Sequence, residues 1–316
     1  MGRKSSVTVI GSYNVGLIAQ AARLPEWGET VFGSGFSECP GGKGSNQAVA
    51  AARLGGDVRF IGCIGTDRYG DDAVSMLTDE GVDISRLKRS TIRKTGVGFV
   101  FLNEHGDNCI IVDPGANMEL LPEDIEAAQS AIAEADVVLF QLESHLDTVR
   151  HAMKMARDMS KVVIFNPAPA QTELDSILPF ATYVTPNESE LKIMSGRRPD
   201  EQLTDSEYID LAREVLRKGP EAVIITLGEK GAMVVSADSY YTIPAILVDA
   251  VDTTGAGDSF NAALAVALGE GQSLEEAVHF ACCVGAYTVI GHEVIPALPT
   301  REQISLFMSV QPGGVR

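Results

Sequence analysis

Asp252-Thr253-Thr254-Gly255-Ala256-Gly257-Asp258-Ser259-Phe260 is the stretch from which the rest of the chain can be read. It is a turn that opens directly into an apolar helical pattern from Gly257 to Leu268. Gly255 and Gly257 carry no Cβ, so the backbone can turn sharply and bring several N–H groups close to a ligand. The helix behind them adds its own unpaired N–H groups and the positive end of its dipole. Donors converging on a helix N-terminus make an anion site, and a phosphate is the usual occupant. Asp258 lies inside that site. A carboxylate repels a phosphoryl group, so its presence makes sense if it takes a proton from a nucleophile attacking that phosphorus. An Asp capping a helix after a glycine turn is the plainer alternative.

Working outward, strands and helices alternate from Pro122 onward, with helices at Pro122–Glu134, Leu146–Asp158 and Asp205–Lys218, and another opening at Asn187. Strands are expected at Val137–Gln141, Val162–Phe165, Tyr183–Thr185, Ala222–Thr226 and Ala232–Ser236, and a last helix at Leu274–Ile290. The N-terminal part begins with a buried strand, Val7–Ile10, and reaches Pro40-Gly41-Gly42-Lys43-Gly44-Ser45-Asn46 before a helix over Gln47–Leu54. A strand at Val58–Ile64, an Asp67 cap and a helix at Gly70–Glu80 follow. Repeated β-α units predict a doubly wound, mainly parallel (Rossmann-like) α/β sheet with helices on both faces. Thr30–Cys39 and a hairpin pattern, Gly96–Leu102 and Asn108–Val112 around the turn 103–107, interrupt the alternation and predict a small β-sheet lid. Asn14, Glu143, Asn166 and Asn187 end four strands, on the side where parallel sheets place ligands. Asn14 can equally bond its own turn. Asn187 and Glu190, three apart, either cap a helix or hold a hydrated Mg²⁺.

Composition narrows the partners. Twenty-five basic against 43 acidic residues give a formal charge of −18, which argues against nucleic acid or an anionic membrane. A polyanionic ligand must then be held by local devices. Five cysteines form no metal or disulfide spacing and point to a reducing, cytoplasmic location. No apolar run approaches the roughly 20 residues that span a bilayer. Met1 to Ser6 formally fits a myristoylation pattern but leads straight into a strand and is read as coincidence; no signal peptide is visible. A GxxxxGK[ST] phosphate loop is absent from the sequence. The 316 residues, 45% of them hydrophobic, are expected to form one domain over 1–316, its lid drawn from about 12–40 and 95–113.

Gly41-Gly42-Lys43-Gly44-Ser45-Asn46 and Asp252-Thr253-Thr254-Gly255-Ala256-Gly257-Asp258 together resemble the two signatures of the ribokinase-like sugar kinases, the phosphofructokinase-B family. The likeness continues through Gln141-Leu142-Glu143, Asn166-Pro167-Ala168-Pro169-Ala170, Thr185-Pro186-Asn187-Glu188 and Thr226-Leu227-Gly228, so it covers nearly the whole chain in order. It implies transfer of the γ-phosphate of ATP to a sugar hydroxyl, D-ribose first, with deoxyribose, fructose or a nucleoside as alternatives. A ligand-binding protein that has lost turnover on the same scaffold is the remaining alternative. Asp258 is implied as base, and the N–H groups of Gly255, Ala256 and Gly257 as anion hole. Asn14, Gly42, Lys43, Asn46 and Glu143 match sugar-binding positions, and Asn187, Thr226, Gly228, Gly231 and Gly257 nucleotide-binding ones. Glu190 matches a residue that organises Mg²⁺ through water, and Asp252 and Thr254 match ligands of a K⁺ site. A homodimer through the lid is also implied.

Three positions depart from the family pattern. Gly16 stands where the family usually has an Asp that grips sugar hydroxyls, Cys282 where a His can sit beside adenine, and Ala297 where a Ser can help hold the monovalent cation. The loss at Gly16 removes charge-assisted hydrogen bonds worth about 1.5 to 3 kcal/mol each. Two outcomes are open at the sugar: weak ribose binding, or a substrate that differs at those carbons; tight ribose binding would instead mean that a neighbouring residue has taken over the role.

Overall fold

The computed structural model describes residues 3–104 and 108–310. The chain begins with β1 (Ser6–Ile10), β2 (Asn14–Gln20), β3 (Ser34–Gly41), α1 (Lys43–Arg53), β4 (Asp57–Ile61), β5 (Cys63–Gly65) and α2 (Arg68–Asp79). It continues through β6 (Lys88–Ser90), β7 (Gly96–Leu102), β8 (Asn108–Asp113), α3 (Pro122–Ala127) and α4 (Gln129–Glu134). Next come β9 (Val137–Phe140), α5 (Leu146–Asp158), β10 (Val162–Phe165), β11 (Tyr183–Val184), α6 (Glu188–Met194), α7 (Asp205–Leu216) and β12 (Ala222–Thr226). It closes with β13 (Ala232–Ser236), β14 (Tyr240–Ile243), α8 (Ala256–Gly269), α9 (Leu274–Thr288), α10 (Val294–Ala297) and α11 (Arg301–Ser309).

The main sheet has the order β14-β13-β12-β11-β10-β9-β1-β4. Its strands from β4 to β12 pair in parallel, and β13 and β14 add an antiparallel edge. The apolar run Val137-Val138-Leu139-Phe140 is buried throughout because a parallel sheet is covered on both faces. Alternation divides its side chains: Val138 and Phe140 pack with the α3, α4, α5 and α7 layer, Val137 and Leu139 with α1, α8 and α9. The doubly wound α/β fold is therefore as expected. A second sheet, β3-β2-β7-β8, stands apart, with β2 and β7 parallel and hairpin-like pairing at both edges.

Several boundaries moved for identifiable reasons. Helix α1 starts at Lys43, four residues earlier than expected. Gly42, at φ 93, sets the N-cap, and Gly44 enters the helix because its start is pressed against the turn after β1. The expected strand Val58–Ile64 is two strands in different sheets, β4 and β5, broken at Gly62, where a Cβ would lie 2.8 Å from the Gly11 carbonyl oxygen and the Phe60 ring. The helix expected at Pro122–Glu134 breaks at Ala128, whose N–H is shared between the carbonyls of Asp124 and Ile125. The strand expected from Thr30 runs Ser34–Gly41. Within the expected hairpin turn, 105–107 lie outside the described residues. Asp67 caps α2 as read, accepting from the Gly70 N–H at 3.1 Å. The short strands β6 and β14 and the helices α10 and α11 carried too little periodic pattern to be read.

A Cβ on Gly44 would sit 2.5 Å from the Ser12 nitrogen and 2.7 Å from the Gly11 carbonyl carbon, contacts that only a backbone shift can relieve. Gly44→Ala is expected to destabilise the fold by about 1 to 3 kcal/mol, seen as a lower denaturant midpoint at unchanged m-value. An unchanged midpoint would show that α1 does not depend on this close approach.

Candidate active site

The carboxyl ends of β1, β9, β10, β11 and β12 open on one edge of the sheet, where α1 and α8 both begin. Gly255 is the N-cap of α8 in a left-handed conformation, φ 82, and a Cβ there would meet Val294 Cγ1 at 2.5 Å. Gly257 differs: a Cβ there would meet nothing within 4 Å, so it borders open space. Among the described residues no acceptor takes the N–H of Gly255 or Gly257, whereas that of Ala256 turns back to the Thr253 carbonyl at 3.3 Å. Free N–H groups at the start of a 14-residue helix are the donors from which an anion site can be built.

Asp258 sits in the first turn of α8 and is only 6% exposed. Its Oδ2 accepts from Asn46 Nδ2 at 2.8 Å and its Oδ1 from Gln47 Nε2 at 3.0 Å, both near the start of α1. Burial raises its pKa above the usual carboxylate range, against the pull of Lys43, Asn46 and Gln47. The buried Oδ1 of Asn46 has no partner, so an acceptor beside Asp258 is open to a hydroxyl donor. Lys43 is subject to opposing effects. Burial alone would lower its pKa, but the nearby Asp258, Glu143 and Glu190 carboxylates outweigh that and raise it.

Asn14, Gly42, Lys43 and Glu143 gather on one side of Asp258. Glu143 accepts from the Lys43 N–H at 2.8 Å, from Asn14 Nδ2 at 3.4 Å and from the Ser12 hydroxyl. Asn14 Oδ1 in turn accepts from Asn117 Nδ2 at 2.8 Å. On the other side a cavity of about 570 Å³ is lined by Asn187, Thr226, Gly228, Gly231, Gly257 and Cys282, with an apolar wall that includes Leu247 and Val289. All five residues matched to a nucleotide thus surround one space. Asn187 and Glu190 form a capping box, with the Asn187 side chain accepting from the Glu190 N–H at 2.7 Å and Glu190 Oε2 from the Asn187 N–H at 2.8 Å. Burial raises the Glu190 pKa despite the Asn187 N–H and Lys43. Asp252 accepts N–H bonds from Thr254 at 2.9 Å and Glu293 at 3.3 Å. These bonds outweigh burial and hold its pKa low.

Sequence reasoning missed the polar chain behind Asp258. Gln47 donates to Asn166 Oδ1 at 3.3 Å and accepts from Gln141, and Asn166 Nδ2 reaches the Thr185 carbonyl at 3.2 Å. Thr185 donates to Asn261 Oδ1, and Asn261 returns to the Gly257 carbonyl at 2.8 Å. Gln47 was one residue beyond a recognised position, and a helix start at Lys43 would have placed it beside Asn46. Asn117 lies in a short turn far along the chain and carried no signal.

With this geometry in place, comparison with known proteins is decisive. A model of the pfkB family carbohydrate kinases matches residues 4–301. The chain belongs to that family. The ribokinase of Bacillus subtilis (strain 168) is 38% identical over 304 residues, 96% of this chain and 99% of the relative. The deoxyribokinase of Salmonella typhimurium is 35% identical over 305 residues, again 96% and 99%. The structure of Arabidopsis thaliana ribokinase complexed with ribose and ATP matches at TM-score 0.89 and 29% identity, covering 98% of this chain and 100% of that one. This carbohydrate kinase is a phosphotransferase with an alcohol acceptor.

A base that works deprotonated, with a raised pKa, gives activity that increases with pH through that pKa. With Asp258 as the candidate base, the acid limb of kcat/KM is expected above the ordinary carboxylate value of about 4. Gln47→Leu removes a donor that favours the charged form, so the limb should move to still higher pH in a pH–rate series. An unmoved limb would separate Gln47 from the titration of Asp258.

Proposed function

We propose that this carbohydrate kinase moves the γ-phosphate of ATP to a hydroxyl of a pentose, ribose first and 2-deoxyribose second. The observation that carries the reading is Asp258, buried, oriented by Asn46 and Gln47, and set between the polar cluster of Asn14, Lys43 and Glu143 and the large cavity. The curated ribokinase and deoxyribokinase relatives, and the relative complexed with ribose and ATP, support the two substrate classes.

In this reading the sugar lies against Asn14, Gly42, Lys43, Asn46 and Glu143, and Asp258 withdraws the proton of the attacking hydroxyl. The N–H groups of Gly255, Ala256 and Gly257 meet the charge that develops on the transferring group. ATP occupies the cavity, near Asn187, Thr226, Gly228 and Gly231. The donor set fits a hydrated Mg²⁺, since Glu190 keeps one carboxylate oxygen outside its capping box and Mg²⁺ needs only one or two carboxylates besides waters and phosphates. When bound, Mg²⁺ neutralises phosphate charge. Asp252 retains lone pairs beyond its two N–H bonds and, with Thr254, fits a monovalent cation such as K⁺. The sheet β3-β2-β7-β8 acts as a lid. Trp27 and Phe32 in the β2–β3 connection and Phe36 on β3 are exposed, an apolar surface that favours a homodimer through the lids. Five free cysteines support a reducing, cytoplasmic location.

Asp258→Asn keeps the shape but accepts no proton, so kcat should fall by about 10² to 10⁴ with ATP binding largely retained. Turnover near that of the unaltered protein, in an assay across ribose, 2-deoxyribose, fructose and adenosine with Mg-ATP, would remove Asp258 as base.

If the small sheet closes over the sugar, closure excludes water from the transferring group. Amide exchange in Ser34–Gly41 and Gly96–Leu102 should then slow on addition of ribose. Unchanged exchange with ribose demonstrably bound would show that the sheet is no lid.

A further inference from the structure

Glu293 holds its backbone at φ 60 and ψ 162, a region that glycine almost alone occupies. The other described non-glycine residue with positive φ, Ser160, lies just past the end of α5, where a left-handed turn is an ordinary way to finish a helix. No such reason applies to Glu293. It is locked in place instead: its N–H donates to Asp252 Oδ2 at 3.3 Å, and the next residue, Val294, fills the space that a side chain at Gly255 would need. Helix α10, which Glu293 caps, packs on β3, and there burial raises the pKa of the Cys39 thiol, with the nearby Glu293 carboxylate adding to it.

Cys39 pairs across the sheet with Gly16, and Gly16 with Gly98 on β7. Alternation puts Gly16 on the same face as Asn14, whereas Val15, Leu17 and Val97 pack against α2. Neither glycine has a positive φ. A Cβ at Gly16 would find only the Cys39 carbonyl oxygen at 3.7 Å, and one at Gly98 only Ile110 Cγ2 at 3.9 Å, both ordinary contacts. Neither the backbone nor the packing therefore requires glycine, although glycine weakens a strand and often marks a close approach to a ligand. Together the two leave a stretch of sheet without side chains beside Asn14, and the Glu293 carboxylate lies next to it, near Cys39 on the neighbouring strand.

We propose that Glu293 is a specificity-determining residue of the sugar site, its carboxylate accepting hydrogen bonds from the hydroxyls of a pentose lying over Gly16 and Gly98. A strained backbone conformation is retained because it aims a carboxylate, from the loop that packs on Gly255, at the part of the sugar that the glycine-floored strands cannot grip. This rests on the kinase reading above and adds to it the residue that recognises the acceptor.

The test is steady-state kinetics with ribose and 2-deoxyribose, together with thermal melts, on the unaltered protein, Glu293→Gly and Glu293→Gln. Both variants are expected to raise the KM for the better pentose by about tenfold or more, the loss of about 1.4 kcal/mol, with the KM for ATP within about twofold. Glu293→Gly should at the same time raise Tm, because glycine adopts this conformation without strain. Adding Gly16→Asp to Glu293→Gly should recover much of the lost affinity, since that carboxylate stands on the same stretch of sheet. A higher Tm in Glu293→Gly with the sugar KM unchanged in both variants would overturn the proposal and leave Glu293 a merely structural oddity. Absence of pentose phosphorylation in the unaltered protein would overturn the kinase reading itself, and the proposal with it.

Discussion

The carboxylate of Asp258 is shut away from water at the point where two helices begin, and most of the site follows from that. An unpaired buried charge costs several kcal/mol, so Asp258 requires donors within reach. Asn46 and Gln47 supply them, and that is possible only because α1 and α8 start side by side. Their approach depends on glycines. Gly42 and Gly255 turn at positive φ, and Gly44 lets α1 lie directly on the turn after β1. Lys43 adds an opposite charge that lessens the cost of burial without removing it.

Behind this junction the polar chain from Gln47 through Asn166, Thr185 and Asn261 back to α8 fixes the orientation of Asp258. Such networks hold shape because a partner lost from a low-dielectric interior leaves another group unsatisfied. In front of it the glycines play a different part. Gly257 borders open space, where a missing side chain leaves room. One residue type therefore serves both to bring backbone to backbone and to leave ground empty.

The chain carries a formal charge of −18, whereas the nucleotide proposed for its cavity is an anion. The overall field opposes such a ligand, and short-range donors must prevail. Free N–H groups at the start of α8 and the ammonium of Lys43 act within a few ångströms, inside the distance over which salt screens the remaining charges.

The order of strands and helices, the parallel sheet and the two glycine-rich helix starts were legible in the sequence, because each is a local matter: apolar runs, periodicity and a missing Cβ act on neighbouring residues. The apposition of Asp258 with Asn46 was visible only as a likeness to other proteins, and its partner Gln47 was not visible at all. Those residues lie more than 200 positions apart, and only the packing of α1 against α8 brings them together. The same holds for Asn117 on Asn14 and for Glu293 beside Cys39. A glutamate in a conformation suited to glycine leaves no trace in a sequence. Its backbone angles are imposed by contacts with Asp252 and Gly255, so only the tertiary structure decided where that carboxylate points.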